Sequence, residues 1–307
     1  MVFSAMAAMT VSLACDSGGY QRVSLSSRQD GVTQQSPGQS PLRLGMAPIL
    51  SARSGGEALA ALCGELSRRL NRPVSPLLGT DYAEINDMLS LGQLDVGIVC
   101  TGAFADPKLQ QFCKVLLVPQ LPPEGSYYRS LIVVRAGDPA NRFGDLRGRS
   151  AVFTDSLSLT GYLYPLSRLC AMGKKPSDFF LALSFSHSHD RSIAMVADGL
   201  ADAAAVDSAV FRDWLERNKT HSRQLRVLER SEPFPSPPIV VRDALTPAEK
   251  DLLRTAFLNL MATAAGQAIL KQMGWSGLKD PDSEYLNRLQ ATGAFMKGLH
   301  DQNCLSP

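Results

Sequence analysis

From Pro41 onward, short continuous apolar runs alternate with stretches whose apolar positions recur at helical spacing. That alternation belongs to sheets with helices packed on their faces. PLRLGMA predicts a first strand and GGEALAALCGELSRRLN a helix with leucine and alanine on one face. PVSPLL predicts a second strand after the stop signal Asn71-Arg72-Pro73. TDYAEINDMLSLG reads as a helix with Asp81 as N-cap and Glu84 three residues on, a capping box. LDVGIVC is the next strand, and it opens into a turn at a thiol, Cys100. After a helix near 107–112, VLLVP and YRSLIVVRA predict two more strands.

A second series follows the turn-rich GDPANRFGDLRG: strand SAVFTD, helix SLTGYLYPLSRLCAMG, strand LALSFS, helix DRSIAMVADGL, strand ADAAAV, helix DSAVFRDWLERN and strand QLRVLER. The prolines of SEPFPSPPIVV cannot donate to a ladder and favour an edge or a crossing. Three helices are expected after it, in TPAEKDLLRTAFLNLMATA, AGQAILKQMG and SEYLNRLQATGAFMKGL. At 307 residues the chain exceeds one ordinary core. The expectation is an α/β protein of two lobes, residues 42–135 plus 236–307 and residues 136–235, each a mixed sheet flanked by helices. Two crossings join them, near Arg135 and Pro235, and two crossings make a hinge.

Residues 1–15, MVFSAMAAMTVSLAC, are uncharged and apolar but too short for a membrane span. They read as a secretory leader of lipoprotein type, with Cys15 as the lipidated residue and residues 16–41 as a flexible tether. A plain cleaved leader and a cytoplasmic tail are the alternatives, since Ser12 departs from the lipoprotein pattern and no Lys or Arg precedes the apolar run. The formal charge of +2 excludes the basic stripe of a nucleic-acid binder. Six cysteines show no CxxC pair, so neither a metal finger nor a disulfide network is expected, and Cys63 and Cys170 read as small hydrophobes on helical faces.

The strings TDYAEI, YYRSLIVVRAGDP, DLRGRSAVFTD, TGYLYP, SHDRSIAMVADG, DAAAVDS and PPIVVRD, in this order, resemble the periplasmic binding proteins for phosphonate, phosphite and related oxyanions. The resemblance covers most of residues 42–290. It implies a two-lobed periplasmic binding protein fold of type II-like form, which closes on a small oxyanion or oxyacid. No cofactor and no catalysis are implied, and a monomer is expected. The partner would be an ABC permease or, alternatively, a sensor histidine kinase. The protein would lie in the periplasm or, lipid-anchored, on the outer face of the cytoplasmic membrane.

Carried over residue by residue, the resemblance implies Tyr82, Cys100 and Thr101 from lobe one and Ser158, Thr160, Gly161, His189 and Asp207 from lobe two. Hydroxyls and backbone N–H groups where helices begin favour negative charge without Lys or Arg. Each residue also has a bland reading: Tyr82 as lobe packing, Ser158 and Asp207 as helix caps, His189 as a satisfied core histidine. Leu159 stands where a further family hydroxyl is usual, and Pro237 where aminophosphonate binders carry an acid, which argues against an amine-bearing ligand. His187, His189 and Asp190 supply only part of a metal set, so no metal is expected. Cys100 also resembles the cysteine of an arsenite-sensing branch, where a soft thiolate takes trivalent arsenic. Enzymes using His189 with Asp207, or Cys100 as nucleophile, are a remote alternative.

Overall fold

The computed structural model describes residues 40–302 and Cys304. The leader-like segment with Cys15, and the tether through residue 39, lie outside the described residues. Among the described residues the strands in chain order are β1 (Leu42–Met46), β2 (Val74–Leu78), β3 (Val96–Ile98), β4 (Cys113–Gln120), β5 (Tyr127–Tyr128), β6 (Ser130–Arg135) and β7 (Ser150–Phe153). They continue as β8 (Ala182–Phe185), β9 (Ala203–Asp207), β10 (Leu225–Arg230), β11 (Phe234–Pro235), β12 (Ile239–Arg242) and β13 (Gly277–Lys279). They form a six-stranded sheet, β13-β4-β12-β3-β1-β2, a five-stranded sheet, β10-β6-β9-β7-β8, and the pair β11-β5.

Both sheets are mixed, and strand alternation divides each between two cores. Leu42, Leu44 and Met46 of β1 face the Ala52–Leu70 and Pro247–Leu258 helices, whereas Val240 of β12 turns to the opposite layer with Ile85, Leu89 and Tyr285. In the second sheet Ile132 and Val134 of β6 meet Phe143 and Phe179, while Leu131 and Val133 meet Ile193 and Val196. Burial on both faces explains the unbroken apolar runs that marked these strands in the sequence.

It also explains one displaced boundary. Strand β6, expected to close the first lobe, lies between β10 and β9 in the second sheet, antiparallel to both. A run buried on both faces carries no mark of which sheet holds it. The crossing falls instead at β5, which pairs antiparallel with the returning β11, Phe234 opposite Tyr128 and Pro235 opposite Tyr127.

Local capping follows the sequence with one shift. The Asp81 carboxylate accepts from the Glu84 N–H at 2.8 Å. The Glu84 carboxylate, however, reaches the N–H and hydroxyl of Thr80 at 2.6 and 2.9 Å, one residue before the expected box. Cys63 is buried in the first core as expected. Cys170 is not a free core thiol: it forms a disulfide with Cys304, across a Cα–Cα distance of 5.8 Å and 134 residues of sequence. The Ser283–Asp301 helix delivers Cys304 there, with Leu299 packed on Leu159 and Leu163. Spacing along the chain cannot reveal such a pair. Among the described residues, no helix is long and apolar enough to cross a membrane.

Candidate functional site

The sequence-predicted residues collect where strands of both sheets give way to helices. Tyr82 is the first residue of the Tyr82–Ser90 helix. Cys100 caps the short Thr101–Phe104 turn after β3. Ser158 precedes the Leu159–Leu163 segment after β7, His189 opens the His189–Ala197 helix after β8, and Asp207 ends β9 and caps the Ser208–Arg217 helix. The carboxyl ends of parallel strands, with helix N-termini beside them, are where α/β sheets hold small ligands.

The segment Leu159–Leu163 is π-helical, a form concentrated at functional sites. Ser158 Oγ accepts from the Gly161 N–H at 3.0 Å, and Ser130 Oγ donates to the Thr160 carbonyl at 2.6 Å. Only glycine fits at 161, because a Cβ there would stand 2.6 Å from Thr154 Cβ.

The two sheets meet across this site. The Tyr82 N–H donates to Asp155 Oδ2 at 3.1 Å, the Ser51 N–H to Asp190 Oδ1 at 2.9 Å, and the His189 N–H to the Ile49 carbonyl at 3.3 Å. Cys100 Sγ lies 3.9 Å from the Leu157 carbonyl. Gly102 approaches the same segment so closely that a Cβ at 102 would fall 2.6 Å from the Leu157 oxygen and 3.0 Å from the Leu159 nitrogen.

Four hydroxyls in and beside these elements are buried without any hydrogen-bond partner: Tyr82 Oη, Tyr128 Oη, Thr160 Oγ1 and Ser188 Oγ. Burial pushes both phenols far up their range, and Cys100 adds to each shift, followed for Tyr82 by Asp155 and Asp207 and for Tyr128 by Asp207. Ser158 stands beside the Tyr82 phenol and Thr101 beside that of Tyr128, each easing the shift without completing a hydrogen bond. Thr101 Oγ1 itself donates to the Pro235 carbonyl at 2.8 Å, tying the site to the crossing. A buried polar group without a partner is costly and calls for an explanation.

His189 is held in one tautomer. The Asp207 N–H donates to Nδ1 at 3.1 Å, and Thr154 Oγ1 lies 3.0 Å from the same nitrogen, so the ring proton sits on Nε2. Burial lowers its pKa from 6.5 to about 3, and the ring is a neutral donor at physiological pH. Burial raises Asp207 from 3.8 to about 6, against the Val210 and Ala209 N–H groups that its Oδ1 accepts at 3.2 and 2.6 Å. Arg212 lowers that value further and Glu124 raises it. Burial pushes the Cys100 thiol up to about 11. Among the described residues no lysine or arginine is buried.

The site therefore offers uncharged donors from both sheets, with Asp155 and Asp207 as acceptors. It suits an oxyacid that keeps at least one proton, since a carboxylate accepts from a ligand O–H and repels a fully ionised oxygen. A sequence profile for the periplasmic substrate-binding proteins of phosphonate ABC transporters matches residues 44–286. The chain belongs to this phosphonate-binding periplasmic family.

As a member of that family it is a substrate-binding protein of a two-lobed fold. It is 23% identical over 263 residues to the phosphonates-binding periplasmic protein of Escherichia coli K12, across 79% of this chain and 75% of that protein. PhnD1 of Prochlorococcus marinus, solved with methylphosphonate, superposes with a TM-score of 0.75 at 18% identity, covering 85% of this chain and 98% of that one. The phosphonate-transporter binding component PA3383 of Pseudomonas aeruginosa gives 0.74 at 18%, covering 87% and 97%. XAC2383 of Xanthomonas citri, solved with ATP, gives 0.69 at 24%, covering 86% and 99%.

Tyr128, Asp155 and Gly102 adjoin the candidate residues and are not singled out by the sequence. Tyr128 lies inside the YYRSLIVVRAGDP string, but nothing in its spacing said that the phenol is partnerless. His187 takes a left-handed backbone, φ 62°, and is exposed while His189 is buried, so His187, His189 and Asp190 do not converge. Among the described residues no metal-binding group of three His, Cys, Asp or Glu occurs.

Asp207 and His189 leave a pH signature. Asp207 binds its proton more tightly folded than unfolded, so its stabilising contribution is complete below pH 3.8 and is lost as the pH rises to about 6. His189 is the reverse, contributing fully above pH 6.5 and losing that contribution as the pH falls to about 3. At about 1.4 kcal/mol per unit, these are on the order of 3 and 5 kcal/mol, and the two slopes oppose each other between them. Urea unfolding from pH 4 to 7 should therefore show His189→Gln gaining stability relative to wild type as the pH falls, and Asp207→Asn losing it. Parallel profiles for all three proteins would contradict these shifts.

Proposed function

We propose that the chain captures a small phosphorus oxyanion, a phosphonate or phosphite bearing at least one proton, between its two lobes and delivers it to an ABC permease. The observation that carries this reading is the set of buried, partnerless hydroxyls of Tyr82, Tyr128 and Thr160 gathered with Asp207 where no cation is buried. Ligand oxygens would satisfy groups from both lobes, and closure follows from that difference in affinity between open and closed states. The β5–β11 pair is the hinge in this reading, with Ser158, Gly161 and His189 holding lobe two in shape. The protein acts as a monomer in the periplasm, anchored by lipid at Cys15.

A second reading rests on Cys100. Its sulfur is coupled to both partnerless phenols, which supports a thiophilic trivalent ligand, arsenite, and a sensor histidine kinase as the partner. The buried thiol is almost wholly protonated at neutral pH, which weighs toward the phosphorus ligand. Catalysis is less supported still: Cys100 Sγ is directed at the Leu157 carbonyl and His189 Nδ1 at Thr154 and Asp207, which leaves no nucleophile–base pair between them.

A thermal-shift panel of methylphosphonate, phosphite, phosphate and arsenite separates the readings, because a ligand that binds only the folded chain raises its Tm. Methylphosphonate or phosphite should raise it most, with Cys100→Ser unchanged in that response. A shift by arsenite alone, abolished in Cys100→Ser, would establish the second reading in place of the first.

A further inference from the structure

The Ser283–Asp301 helix belongs to neither lobe alone. Its first turns are built into the first lobe, where Tyr285 and Leu289 are buried with Ile85, Leu89 and Val240. Its middle lies along both crossings. Tyr285 Oη donates to the Ser236 carbonyl at 2.6 Å, the Arg288 guanidinium stands 5.0 Å over the Tyr127 ring, and the Phe295 ring is 6.2 Å from that of Phe234. Its last turn packs on the second lobe, with Leu299 buried against Leu159 and Leu163. There the chain is also bonded covalently. Cys170 sits near the end of the Tyr164–Ala171 helix, which continues directly from the Leu159–Leu163 segment, and it holds Cys304 just beyond the last helix.

Apolar contact is non-directional, so Leu299 alone would slide from Leu159 and Leu163 as the lobes part. A covalent bond does not let go, and a helix of 19 residues, about 28 Å long, carries the restraint from one lobe to the other. We propose that the Cys170–Cys304 disulfide makes this helix a strap across the hinge, holding the unliganded lobes near the arrangement in which the two sheets meet. A bond of this kind persists in an oxidising compartment such as the periplasm. The proposal concerns opening rather than ligand chemistry, so it stands apart from the phosphorus oxyanion reading. A cleft held near closure loses less freedom on binding. With the strap cut, open forms take a larger share of the population and the ligand leaves sooner.

The test compares the unliganded wild type with the Cys170→Ser, Cys304→Ser double variant and with wild type reduced by a dithiol after folding, so that it does not depend on the variant's own folding. The dithiol gives two electrons and two protons to the bond, leaving two cysteine thiols and its own cyclic disulfide. Cys63, Cys100 and Cys113 are already free thiols and are unchanged by it. At a temperature where circular dichroism shows all three folded, small-angle scattering should give both unstrapped forms a radius of gyration larger by about 1 Å, on roughly 18 Å for a body of this size. With methylphosphonate as the probe, dissociation should be about five- to tenfold faster in both. If methylphosphonate binds none of the three, the oxyanion reading fails and the scattering alone decides the strap. The same radius of gyration in all three forms, or free thiols at Cys170 and Cys304 in protein isolated from the periplasm, would overturn it.

Discussion

Gly102→Val is expected to lower affinity for a phosphonate about 10- to 100-fold while leaving the Tm of the unliganded protein nearly unchanged. The backbone at 102 is an ordinary helical turn, so the substitution does not strain it locally. What it changes is the closed state, because the new Cβ meets the backbone of Leu157 and Leu159 on the opposite lobe. Backbone cannot rotate aside as the end of a side chain can. Overpacking of this kind costs about 1–3 kcal/mol, levied on closure alone because an open cleft has no such contact. Small-angle scattering should show the variant failing to contract on addition of methylphosphonate. An unaltered contraction, with unaltered affinity, would show that Gly102 does not gate closure.

The double variant Tyr82→Phe, Tyr128→Phe should separate stability from binding in the opposite sense. In the arrangement seen here both phenol oxygens are buried without partners, so deleting them removes a penalty of about 1–3 kcal/mol each to whatever extent that arrangement is populated. Stability to urea should hold or rise. Hydrogen bonds to a charged oxyanion are worth about 1.5–3 kcal/mol each, so affinity should fall about 10- to 100-fold for one hydroxyl and further for two. A variant that loses stability and keeps affinity would place these tyrosines in packing instead.

Much of the architecture was legible because it rests on local rules. Apolar runs marked the doubly buried strands, and Asp81, Ser158 and Asp207 sit at helix starts as their side chains require. The assignment of β6 was not legible, since a strand buried on both faces looks the same in either sheet. Nor was the Cys170–Cys304 bond, which depends on how the last helix packs across a sequence separation of 134 residues.

At the site, residue types were readable and their states were not. Asp207 reads from sequence as either a cap or a cleft carboxylate, and in the structure its Oδ1 caps the helix while burial raises its pKa to about 6. His189 likewise reads as a ligand contact or a core histidine. Its tautomer is fixed by an N–H from β9 that no sequence spacing could supply. Gly102 lies against Leu157 and Leu159 across 50 and more residues of sequence, and such a contact is visible only in three dimensions.

The central claim, that partnerless hydroxyls of a two-lobed cleft receive a small phosphorus oxyanion, is tested most directly by calorimetric titration of methylphosphonate into the wild-type chain and the Tyr82→Phe, Tyr128→Phe variant side by side. The expected result is saturable one-to-one binding in the first and a loss of at least tenfold in the second. Equal binding by both proteins, or no binding of methylphosphonate or phosphite by the wild type, would contradict it.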